Sequence, residues 1–141
     1  MKVLLDTNII LDQLLEREPF YIESNALFDE IRLKRVIGYV TATTLTDIFY
    51  IAKKQKGTRV AQQYIRDLLM TMQICPVNRK ILEAAIASNS DDFEDAVQLA
   101  CAVSEGLDAI VTRNMQGFSD ASIDILTAGE LLTRLSSETR S

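Results

Sequence analysis

The sequence contains no histidine. That single absence excludes a histidine-based catalytic triad, an imidazole general base and every histidine metal site. Any chemistry must rest on carboxylates, hydroxyls, amides, lysine or arginine. Long apolar runs are also missing. None approaches the roughly 20 residues needed to cross a bilayer, and Asp6 interrupts the apolar N-terminal stretch, which does not fit a secretory signal. Cysteine is scarce: Cys75 and Cys101 are far apart and lack metal or redox spacing. They are expected to be buried small hydrophobes in a reducing, cytoplasmic setting. Basic residues are in deficit, 15 Lys and Arg against 20 Asp and Glu, for a net charge of −5. A chain of that sign is a poor candidate for simple electrostatic wrapping of nucleic acid.

What is present suits one α/β domain. The 141 residues fit a single domain, and 48% apolar content supports a core. Lys2 to Asp6 reads as a strand buried on both faces, because its apolar residues run on without alternation. Val36–Val40, Ile74–Val77, Asp108–Thr112 and Ile123–Leu126 are the other strand candidates. Helical spacing predicts helices over Ile9–Leu15, Pro19–Lys34, Thr41–Lys56, Arg59–Met72, Asn78–Ser88, Phe93–Glu105 and from Thr127 to about Leu135. Asn114–Asp120 reads as a polar loop, and residues 136–141 as a disordered tail after a domain of residues 1–135. The expected fold is a mostly parallel sheet of about five strands with helices on both faces. Such sheets bind ligands beyond the carboxyl ends of their strands, where the strand order switches.

Acidic and amide residues recur at those strand ends. Asp6 closes the first strand, and Asn114 follows the fourth. Asp91, Asp92, Glu94 and Asp95 surround the start of a long helix, and Asp47 lies within the helix after the second strand. If the first and fourth strands are neighbours, Asp6, Asp95 and Asn114 converge and Asp47 faces them. Gathered carboxylates repel unless a cation compensates, and hard Mg²⁺ or Mn²⁺ prefers such oxygen ligands. That chemistry hydrolyses phosphodiesters without histidine. Each residue also has a plain structural role open to it. Asp6 can cap a helix, Asp47 can face solvent, Asn114 can form a turn, and Asp91 with Glu94 matches a capping box. Asp92 is a cap or an outer partner of the site. Asp95 lies beside the apolar stripe of its helix, at an end where the dipole favours it in any case.

Leu4-Leu5-Asp6-Thr7-Asn8-Ile9-Ile10-Leu11-Asp12 resembles the opening motif of PIN domains, the nuclease family of most toxins in bacterial VapBC-type toxin–antitoxin modules. The resemblance continues in the family's order through Thr44–Tyr50, Asp92–Gln98, Val111–Asn114 and Phe118. It implies a Rossmann-like fold, three or four acids holding Mg²⁺ or Mn²⁺, and cleavage of RNA. It makes Asp6, Asp47 and Asp95 the metal ligands and Asn114 the fourth catalytic position. Asn8, Asp92 and Thr112 become supporting residues. It also implies a homodimer, with residues 19–35 and 42–72 near the interface, and a small antitoxin partner. Asp47 stands where many members carry Glu. Asn114 stands where Asp is frequent, and Gly117 stands where many relatives place Asp, with Asp120 offset by three positions. These departures keep open an alternative, a PIN-fold binding or interaction module with weak or no catalysis. A haloacid-dehalogenase-type phosphatase is disfavoured, because Asn8 occupies the place of its second Asp. Arg113, Lys53 and Lys54 are the expected substrate contacts, within a basic stretch that also includes Lys56, Arg59 and Arg66. Solvated helix ends account equally well for such lysines. Tyr50 can stack on a base or pack in a groove.

Overall fold

The structure, a computed structural model, describes residues 1–118 and 121–140. These form five strands, seven α-helices and one short 3-10 helix. In chain order they are β1 (Lys2–Leu5), α1 (Thr7–Leu14), α2 (Tyr21–Arg32), β2 (Ile37–Thr41), α3 (Ala42–Lys56), α4 (Thr58–Thr71) and β3 (Gln73–Cys75). There follow α5 (Arg79–Ala87), α6 (Phe93–Ser104), β4 (Ala109–Val111), the 3-10 helix Met115–Phe118, β5 (Asp124–Leu126) and α7 (Ala128–Arg140).

All five strands are parallel, in the order β3-β2-β1-β4-β5. The chain first builds leftward from β1 and then returns to place β4 on its other side. Leu4 pairs with Tyr39 of β2 and with Ile110 of β4, so the order switches at β1. The uninterrupted apolar run of β1 has a simple cause. Val3 and Leu5 face a core built with Ile9, Leu27, Ile48, Leu68 and Leu131. Leu4 faces the opposite core, with Ile81, Ala85, Val97 and Cys101. A strand covered on both sides has no polar face to alternate with.

Caps set the helix starts. Thr41 Oγ1 accepts from Thr44 N at 3.1 Å, and Asn78 Oδ1 from Ile81 N at 3.1 Å. Thr127 and Glu130 cap α7 reciprocally, each backbone N–H meeting the other's side chain. Several boundaries differ from the sequence expectation. Pro19 lies in the turn before α2, which starts at Tyr21 rather than in the first turn of the helix. Gly57, at φ +90°, caps α4, which starts at Thr58 rather than Arg59. The loop after β4 contains a 3-10 helix. The last helix does not end near Leu135 but continues to Arg140, its serine and threonine hydroxyls bonding back to carbonyls four residues earlier at Gly129 and Thr133. Asp120 lies outside the described residues. Among the described residues, no helix is long and apolar enough to cross a membrane. Cys75 and Cys101 are buried free thiols, pushed by burial to about 12 and about 11, which makes both inert.

Candidate active site

At the carboxyl ends of β1 and β4, beside the switch in strand order, lies an open pocket of about 410 Å³. Asp6, Asn8, Asp47, Asp95 and Asn114 all line it. Topology explains the convergence. Asp6 leaves β1 as the N-cap of α1, Asn114 follows β4, α6 delivers Asp95, and α3 rises from β2 with Asp47 on the opposite wall.

Asp6 is the most constrained of the acids. Its Oδ1 accepts from Thr7 N at 2.7 Å and from Gln98 Nε2 at 2.9 Å. Its Oδ2 accepts from Thr112 Oγ1 at 2.6 Å and from Asn8 Nδ2 at 3.3 Å. Four donors from α1, α6 and the β4 end thus fix one carboxylate. Thr112 is fully buried and also receives Asn114 N at 2.9 Å, coupling the loop after β4 to Asp6. Gln98 was not singled out from the sequence. It lies on the inward stripe of α6 and is fully buried. Its signal was a polar residue one turn after Asp95 on the buried face of the helix.

Asp95 is buried too, at 7% exposure, but its Oδ2 has no hydrogen-bond partner. Burial first, then the charges of Asp92, Asp6 and Glu94, push its carboxyl up to about 7. Asn8 Oδ1 and Gln98 Oε1 are likewise buried without partners. Three buried side-chain oxygens of these residues thus have no protein donor.

Glu94 requires a correction. The expected Asp91–Glu94 capping box does not form; Asp92 is the N-cap of α6 and accepts from Asp95 N at 3.0 Å. The side chain of Glu94 instead enters the pocket and accepts from Thr7 Oγ1 at 2.9 Å. Its carboxyl is raised, chiefly by burial and further by Asp47, Asp6 and Asp92, against the lowering effect of the Thr7 bond. Proton counting orients the hydroxyls behind it. Thr7 spends its proton on Glu94, so Thr44 donates to Thr7 at 3.2 Å and Thr41 to Thr44 at 3.0 Å. The threonine-rich turn before α3 is therefore part of the support of the site.

Arg113, Lys53 and Lys54, the expected basic contacts, do not line the pocket. Arg113 turns away from the pocket. Its Nε and Nη2 hold the carboxylate of fully buried Asp12 at 2.7 and 3.2 Å, and its guanidinium lies 4.0 Å over the Phe20 ring. Lys53 and Lys54 are exposed in the last turn of α3 and do not line the pocket. The cation that does line it is Arg17, which the sequence patterning did not indicate. Asp92 faces an adjoining groove of about 620 Å³ shared with Asp95, Asn114 and Gly117. A Cβ at Gly117 would fall against Asp95 Oδ2 and within 2.7 Å of Asn114 Nδ2, so a side chain here requires those two groups to shift.

A family model of the PIN domain matches residues 2–116. The chain belongs to the PIN-domain family. Comparison with curated protein sequences finds no match. Solved structures share the fold of this PIN domain at low identity. The Mycobacterium tuberculosis toxin VapC20, a sarcin–ricin-loop-cleaving toxin, is 14% identical over 86% of this chain and 95% of its own, with a TM-score of 0.68. A toxin–antitoxin complex from Klebsiella pneumoniae is 24% identical over 89% and 97%, also at 0.68. VapBC2 of Rickettsia felis, bound to a DNA fragment from its promoter, is 18% identical over 90% and 98%, at 0.63.

The donor chemistry of the pocket fits a hard divalent cation: carboxylate and amide oxygens, with no nitrogen or sulfur ligand among the lining residues. Among the described residues no three acids yet meet at a single ligation point. Asp6 has both oxygens engaged by donors, whereas Asp95 keeps one buried oxygen open.

Proposed function

We propose that this PIN domain is a metal-dependent endoribonuclease and the toxin of a toxin–antitoxin pair. The observation that carries the proposal is the buried, unpartnered Oδ2 of Asp95, a residue that shares one pocket with Asp6, Asp47 and Glu94 at the strand switch. Asp6, Asp47 and Asp95 are the residues to hold Mg²⁺ or Mn²⁺, with Asn114 as a neutral fourth group. When bound, such a cation activates water and neutralises charge on the phosphoryl oxygens. The chain's own residues do the rest. Thr112, Gln98, Asn8 and the Thr7 amide hold Asp6 in one orientation. The Thr41–Thr44–Thr7 hydroxyls hold Glu94 at the wall. With its carboxyl near 7, Asp95 is poised to lose its proton as positive charge arrives.

Supporting the toxin assignment are the VapC and toxin–antitoxin structures that share the fold. A homodimer and a small antitoxin belong to the same proposal. Exposed Ile22, Leu33, Leu69 and Met70 supply apolar surface on the helices expected at an interface. Single-stranded RNA should be cut with Mn²⁺ and spared with EDTA. Unchanged cleavage by Asp6→Asn and Asp95→Asn would reject the assignment. Neutral Asn114 and side-chain-free Gly117 favour a second reading, a PIN-fold binding module. Calorimetry separates the two, because a binding module would take up no Mn²⁺ while retaining RNA.

A further inference from the structure

The pocket has an outer half that the acids do not explain. Leu11, Arg17, Tyr50 and Ile51 line it together with the carboxylates. Both α1 and α3 start at the carboxyl ends of adjacent strands and carry the pocket wall away from the sheet. Along α3 the wall passes from Asp47 to Tyr50 and Ile51, about one turn or 5 Å further out. Along α1 it passes from Asp6 to Leu11, and Arg17 follows in the turn after the helix. Each wall thus runs from an acid at the strand end to apolar and aromatic or cationic groups further along the chain.

Arg17 is anchored but unspent. Its N–H donates to Asp12 O at 3.0 Å and its carbonyl accepts from Tyr21 N at 2.8 Å. Its side chain makes no ion pair or side-chain hydrogen bond among the described residues, although four acids line the same pocket. It is also absent from the charges that act on Asp95 and Glu94. Tyr50 is 66% exposed, and its ring is braced edge-on by Phe49 at 5.3 Å and 86°. A braced aromatic face and an unpaired guanidinium beside an acidic pocket are the two groups a flanking nucleotide requires.

We propose that Arg17 and Tyr50 form the subsite for the nucleotide next to the scissile phosphate of single-stranded RNA, Arg17 binding its phosphate and Tyr50 stacking on its base. This rests on the nuclease reading. Leu11 and Ile51 give the sugar and base an apolar floor. A base within a duplex is already stacked and paired, so it cannot lie on Tyr50; the subsite therefore selects unpaired RNA.

The chain has no tryptophan, so Tyr50→Trp introduces a unique fluorescent probe at the subsite. In an Asp95→Asn background, a ten-nucleotide single-stranded RNA should quench this tryptophan, whereas the same sequence as a duplex should not. Tyr50→Ala should weaken binding about tenfold. Arg17→Ala should weaken it several-fold and lower the slope of log affinity on log salt by about 0.7, with Arg17→Lys recovering that slope. In the active chain Arg17→Ala should raise KM and leave kcat unchanged. If the parent chain cleaves RNA but the tryptophan is not quenched, or the salt slope of Arg17→Ala is unchanged, the subsite is overturned and the nuclease reading stands. If the parent chain cuts no RNA with Mn²⁺, both fall together.

Discussion

Asp12 and Asp95 are both buried aspartates on inward-facing helix surfaces, at 0% and 7% exposure, yet the molecule treats them oppositely. Asp12 receives a bidentate guanidinium from Arg113, itself stacked on Phe20. Asp95 receives only its cap geometry and the proximity of Asp92, Asp6 and Glu94. A buried charge must be paired, protonated or completed from outside. The fold pairs the first from its own chain and leaves the second with an open oxygen. Unneutralised burial at Asp95, against a complete ion pair at Asp12, is the contrast on which the proposed metal site rests.

Breaking the structural pair should have the largest effect. Arg113→Met leaves Asp12 buried without a partner and should lower unfolding free energy by about 3 kcal/mol, measured in urea. Adding Asp12→Leu to that variant should recover most of the loss. A loss below 1 kcal/mol for Arg113→Met would mean that the pair does not matter.

Asp95→Asn should invert the pattern. Cleavage should fall about a hundredfold, roughly 2.7 kcal/mol in the barrier, while the metal-free protein becomes more stable at pH 7. Destabilisation instead would erase the contrast between the two aspartates. Ligand-linked stability comes next in size. Mn²⁺ at ten times its dissociation constant should add about 1.4 kcal/mol to the parent chain and nothing measurable to Asp95→Asn, as read by thermal shift.

Gly117→Ala sharpens the comparison sterically. Its new methyl presses on Asp95 Oδ2 and Asn114 Nδ2, so cleavage should fall several-fold, about 1 kcal/mol, with the Asp12–Arg113 side untouched. Activity equal to the parent would show that the loop yields freely.

The same comparison predicts a pH dependence of stability. The folded-state value of Asp95 is about 7, above its ordinary value of 3.8. The native state therefore binds more protons than the unfolded chain between these values, and stability falls as pH rises through that window. Glu94 is raised in the same sense. In EDTA the melting temperature should decline from pH 4 to 7 and then level. Asp95→Asn should flatten much of that decline; an equally steep profile in the variant would assign it to other groups.

Much of the fold was legible because its signals are local. The apolar run of Val3–Leu5, the helix starts near Thr41, Asn78 and Thr127, and the periodic stripes of the helices each act within a few residues. Placement of Asp6, Asp47, Asp95 and Asn114 near strand ends followed from the same pattern, and the pairing of β1 with β4 brings them into one pocket. Glu94 misled because its spacing from Asp91 satisfies a capping box, while the chain begins α6 one residue later, at an Asp92 cap. Gln98 and Arg17 gave little local signal, since an amide on a helix and an arginine after one have many ordinary fates.

The sequence by itself determined the alternation of strands and helices, the two-sided burial of the central strand and an oxygen-only chemistry without histidine. Tertiary structure alone decided which charges meet. Arg113 follows Thr112, a direct partner of Asp6, yet it spans 101 positions to Asp12, while Gln98 reaches Asp6 across 92. Electrostatic and hydrogen-bond partners act through a few ångströms of space, and only the strand order and helix crossovers determine which distant residues come that close.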